Sequence, residues 1–158
     1  MGPNIKVIMR NILSVVFCLV ASPILAQGTV LPPSVQGYVD YLVQSCSVMQ
    51  GEFTSGPGLV TQVDLDQDGT QDYIVDGAGA QCSTSKTLYC DAGIGCEIVT
   101  FVGDTRHGTI VLDWAVVDLS GKPALRVKQA GLLLNLPEDR VSDLVWDRSS
   151  GGYIEAAY

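Results

Sequence analysis

The sequence predicts an α+β fold in which an N-terminal amphipathic helix packs on a small, mainly antiparallel sheet stapled by two disulfides. Two observations carry the fold class. One stretch of helical period lies near the start, and a succession of short β-rich runs follows at fairly regular intervals. A third observation carries the staples: four cysteines remain once an N-terminal export segment is set aside. The chain has 158 residues, enough for one domain. Its apolar fraction of 47% is that of a folding chain and excludes wholesale disorder.

Residues 1–26 read as a secretory signal. Lys6 and Arg10 precede an apolar run over 12–20, and Ala21, Ser22 and Pro23 lead to a cleavage point after Ala26. A membrane anchor would need roughly 20 apolar residues, and Pro23 interrupts this run too early. Cys18 follows Phe17, not the small residue of a lipidation box, and no adjacent arginine pair marks a twin-arginine route. Residues 27–158 are then a single globular domain, periplasmic or extracellular, with no membrane anchor. Cleavage removes Lys6 and Arg10 and moves the formal charge from −8 to −10. So acidic a surface excludes a nucleic-acid partner, because phosphate binding needs a basic one. It disfavours anionic lipid for the same reason.

Cys46, Cys82, Cys90 and Cys96 stay behind while Cys18 leaves with the signal. Four cysteines in an exported domain read as two disulfides with three possible connectivities. Proximity favours Cys90–Cys96, leaving Cys46–Cys82. A zinc knuckle or a redox centre would need close CxxC pairs, and none exists.

Val35, Tyr38, Val39, Leu42, Val43, Cys46 and Met49 recur at i, i+3, i+4 and i+7, which predicts one helix of roughly four turns beginning at Pro33 or Ser34. Tyr38 and Met49 are expected to pack in the core. Beyond a Gly/Ser/Pro-rich connection over 51–58 the period becomes strand-like, at 59–63 and 72–75. Residues 77–96 are small, polar and Gly-rich, and read as a loop pinned by disulfide. Strand signals return at 97–102, 109–119, 124–128, 144–147 and 153–156, the last two joined by a hairpin signal at 148–152. Residues 131–136 are ambiguous between strand and helix, and Trp114 and Trp146 sit among alternating apolar residues as core.

The most informative stretch runs from Asp64 to Asp72. Carboxylates occupy positions 1, 3, 5 and 9 of this loop, at Asp64, Asp66, Asp68 and Asp72, with Gly69 at position 6. Alternating aspartates followed by glycine turn hard oxygen donors onto one centre, which suits calcium and not zinc or copper. The carbonyl of Thr70 can add a ligand. No Lys or Arg lies between Arg10 and Lys86 to neutralise the carboxylates locally.

The run DLDQDGTQDYIV resembles the calcium loop of FG-GAP/VCBS-type repeats, where a strand leads into D-x-D-x-D-G-x-x-D and an apolar strand follows. The resemblance implies one structural Ca²⁺ held by Asp64, Asp66, Asp68, the Thr70 carbonyl and Asp72. It covers about a dozen residues, in a single copy, so a propeller architecture does not follow from it. An EF-hand fits less well because position 12 is Val75 and the flanks read as strands. The wider layout is similar to small uncharacterised exported proteins of Gram-negative bacteria.

No catalytic constellation accompanies the loop. His107, the only histidine, lies in what reads as an exposed turn, and no GxSxG elbow is present. The glutamates have no distinctive context for glycosidase work, and no amphipathic helix follows Gly77-Ala78-Gly79 to cradle a phosphate. The sequence therefore points to an exported, non-catalytic domain with a role in binding or envelope structure. The alternative is a soluble inhibitor or immunity-type protein partner of a secreted hydrolase, steered by its negative charge.

Overall fold

A computed structural model describes residues 30–157. The signal-like segment 1–26 lies outside the described residues. The helix forms where its period places it, as α1, Pro33–Val48, with proline in its first turn, where an N–H would have no partner. Its buried face is narrower than the full apolar set: Val35, Tyr38, Leu42 and Cys46 are buried, while Val43 is 38% exposed. Met49 is not core. It follows the last helical turn as the C-cap and is 50% exposed.

Eleven strands follow: β1 Phe53–Ser55, β2 Val60–Val63, β3 Asp72–Asp76, β4 Ala80–Cys82, β5 Cys90–Asp91, β6 Gly95–Val102, β7 Thr105–Val111, β8 Asp113–Leu119, β9 Lys122–Gln129, β10 Arg140–Asp147 and β11 Gly152–Glu155. They form three antiparallel sheets instead of one. The pair β1–β4 is a small ribbon. A five-stranded sheet has β6 at its centre, paired along one edge with β3 and the two-residue β5 and along the other with β7. A four-stranded sheet runs in the order β11-β10-β9-β8. The ambiguous segment 131–136 becomes a single helical turn, α2, Gly131–Leu134, ended by Asn135 in the left-handed region.

The run 109–119 reads as one strand but is two. The chain leaves the five-stranded sheet at the end of β7, passes Leu112, and enters the four-stranded sheet as β8. The Leu112 amide donates to the Lys128 carbonyl at 2.7 Å, so no backbone donor is lost at the crossing.

The five-stranded sheet is the middle of three layers, because its strands alternate side chains between two faces. One face packs Val75, Val99 and Phe101 against Val35, Tyr38 and Leu42 of α1. The other packs Ile74, Ile98, Val102 and Val111 against Leu125 and Val127 of the four-stranded sheet, with Trp114 and Trp146 at the edge of that core. Both disulfides tie the Gly-rich segment into this frame: Cys46–Cys82 joins the end of α1 to β4, and Cys90–Cys96 joins β5 to β6.

Candidate metal centre

The aspartate loop joins β2 to β3, closing at the pair Val63↔Asp72. Leu65, 3% exposed, anchors it in the core between the two larger sheets. Gln67 and Gly69 take positive φ (59° and 87°), which folds the loop back on itself. The carboxylates hold that turn through backbone amides. Asp64 accepts from the amides of Asp68 (3.1 Å) and Gly69 (2.9 Å), and Asp66 accepts from Asp68 at 3.0 Å. Asp68 accepts from the Thr70 amide at 2.6 Å.

Asp72 differs from the others because the first residue of β3 points into the inter-sheet layer. It is 3% exposed and accepts from the Leu65 amide (2.8 Å) and the Gly103 amide (3.2 Å). Burial pushes its carboxyl up from the ordinary range; the two amides pull it down and the nearby Asp66 charge adds to the rise.

One carboxylate oxygen from each of Asp64, Asp66 and Asp72 lies within 4.8 Å of the others, so this trio could hold a metal ion. Asp68 and Thr70, expected to join them, are exposed at the tip, and Asp68 stands outside the group.

The sequence gives no hint of the cation beside the trio. Arg148, from the turn between β10 and β11, donates from Nε and Nη2 to the Asp66 carbonyl at 2.9 and 2.5 Å, and its Nη2 is 3.7 Å from the Asp66 carboxylate. The two residues are 82 positions apart, and only the packing of one sheet on the other brings them together. Gln67 fixes the loop tip by donating to the Gly121 carbonyl at 2.7 Å.

A second polar feature adjoins the trio. His107 is not in an exposed turn but in β7, partly buried, with its ring edge-on to Trp146 (5.4 Å) and Tyr153 (5.8 Å) and its Nε2 3.1 Å from the Gly151 carbonyl. Burial pushes the Tyr153 hydroxyl up to about 12; the neighbouring Thr100 hydroxyl pulls down and the Asp72 charge adds. The cluster is a packed aromatic seam between sheets.

Compared with known proteins, the chain matches no family model, no curated protein and no solved structure. Among the described residues no helix is long and apolar enough to cross a membrane. The two disulfides fit an oxidising compartment.

Proposed function

We propose that this is an exported, non-catalytic domain of the periplasm or the extracellular space, with a structural Ca²⁺ in the aspartate loop and a role in binding or envelope structure. The observation that carries the reading is the Asp64, Asp66 and Asp72 trio, with one oxygen of each within 4.8 Å of the others. Two carboxylates at that separation repel by about 3 kcal/mol at an effective dielectric of 20. The trio's negative charges outnumber the guanidinium of Arg148 beside them, an excess that a divalent ion would offset. Oxygen donors throughout favour calcium, whose flexible coordination accommodates side-chain and carbonyl oxygens together. Asp68 and Thr70 lie at the same loop tip and would complete the set on binding, as the FG-GAP/VCBS resemblance implies.

The test is thermal unfolding of the non-reduced protein in about 10 mM calcium and then in chelator. At the dissociation constants of extracellular calcium modules, calcium should stabilise by roughly 1.4–2.7 kcal/mol. Asp66→Ala should lose that gain. An unchanged melting curve, or a gain that Asp66→Ala keeps, would remove calcium from this loop.

A further inference from the structure

Across the molecule from the seam, between the N-terminal half of α1 and the β6–β7 hairpin, lies a cleft of about 550 Å³, within the ~300–1,000 Å³ span of small-molecule sites. We infer that this cleft binds a saccharide, with Tyr41 as the platform and Arg106 and Asp104 as its hydrogen-bonding groups.

The cleft is built on an immobilised tyrosine. Tyr38 donates its hydroxyl to Glu97 at 2.8 Å, carries the Arg106 guanidinium 4.5 Å from its ring centroid, and leans on Phe101 at 6.1 Å. Tyr41 stacks beside it, centroids 5.8 Å apart and planes 24° apart, yet is itself 58% exposed. A flat aromatic surface of this kind suits the C–H face of a pyranose ring, apolar on its face and polar at its rim.

The polar groups suit that rim. Neither Arg106 nor Asp104 has a hydrogen-bond or ion-pair partner among the described residues, so the cleft offers donors from a guanidinium and acceptors from a carboxylate side by side. A ligand that both donates and accepts, as hydroxyls do, satisfies both. Glu97 and Asp104 outnumber Arg106 in charge, which disfavours an anionic ligand.

Gly37 supplies the independent observation. It sits inside α1, where glycine costs about 1 kcal/mol relative to alanine, and a Cβ there would meet nothing within 4 Å. Neither packing nor a left-handed backbone calls for glycine at this position. One turn before Tyr41, it is on the same helix face and lines the cleft, and its missing side chain leaves that part of the cleft open.

The experiment is isothermal calorimetry of the full disulfide-bonded protein with two probes, chitohexaose and cellohexaose, and with hexaalanine as a peptide control. Saccharide binding is expected, weakened about tenfold by Tyr41→Ala, a loss of roughly 1.4 kcal/mol. Gly37→Leu should abolish it while leaving the melting temperature unchanged or higher, since leucine is a good helix former. A merely structural glycine would not separate stability from binding in this way. No heat with either saccharide, binding that survives both substitutions, or the same substitution-sensitive binding to hexaalanine alone would each overturn the proposal.

Discussion

Replacing Cys46 and Cys82 together by alanine tests how the fold is held. The bridge joins the buried end of α1 to β4 across a sequence separation of 36. Closing a loop of that length removes about 3.8 kcal/mol of chain entropy from the unfolded state at 25 °C, against about 2.4 kcal/mol for the short Cys90–Cys96 loop. Other contacts keep α1 in place in the folded variant: Val35, Tyr38 and Leu42 stay packed, and Tyr89 still donates to the Leu42 carbonyl at 2.6 Å. The loss should therefore arise in the unfolded chain. The assay is urea unfolding of both double variants beside the parent, without reductant. With a slope near 2 kcal/mol per molar, the Cys46/Cys82 variant should unfold about 2 M earlier, and its slope should not fall. A loss under about 1 kcal/mol, or a larger loss from Cys90→Ala/Cys96→Ala, would refute the reasoning.

Three further predictions concern sites away from this bridge. Gly95→Ala should destabilise by about 3 kcal/mol or more, because Gly95 has φ +105° and a Cβ there would run into the Val111 carbonyl oxygen; an unchanged melting temperature would count against it. Arg126 pairs with both carboxylate oxygens of Asp143 at 2.7 Å and holds that carboxyl below its usual range. A depressed carboxyl contributes stability above its unfolded value near 3.9 and loses it as pH falls through the folded one, so Asp143→Asn should flatten the acid side of a stability-versus-pH curve measured by denaturant melts. Arg148→Gln should tighten calcium binding several-fold in a calorimetric titration, because a cation 3.7 Å from the Asp66 carboxylate opposes a second one; weaker binding would make Arg148 a buttress of the loop instead.

What could be read in the sequence was local, and what could not was the partition of strands among sheets. The period of α1, the hairpin at 148–152 and the aspartate turn each depend on residues a few positions apart, and each forms as expected. The division of 109–119 at Leu112 left no trace, because no glycine or proline marks it and both sides are β-rich. The three-residue strands β1 and β4 are too short for alternation to show. The same limit governs the candidate site. Asp64, Asp66 and Asp72 were legible from spacing, whereas Arg148, the Asp72–Tyr153 neighbourhood and the packing of His107 on Trp146 depend on one sheet lying on another. Met49 is exposed for a different reason: it keeps the period of α1 but lies past the helix end, as its C-cap.

The four-stranded sheet is a meander in which every strand pairs with its neighbour in the chain, so its ladders close over short distances. α1 draws most of its cover from further along the chain. Among the described residues, the sheet side chains that bury Val35, Tyr38 and Leu42 come later in the sequence, as far as Phe101. α1 leaves a ribosome or a translocation channel before any of these strands, so its apolar side is covered only as they follow. Until the chain has emerged beyond Phe101, that stripe has only part of its native surface to close upon, and shielding the rest falls to whatever meets the chain on the way out.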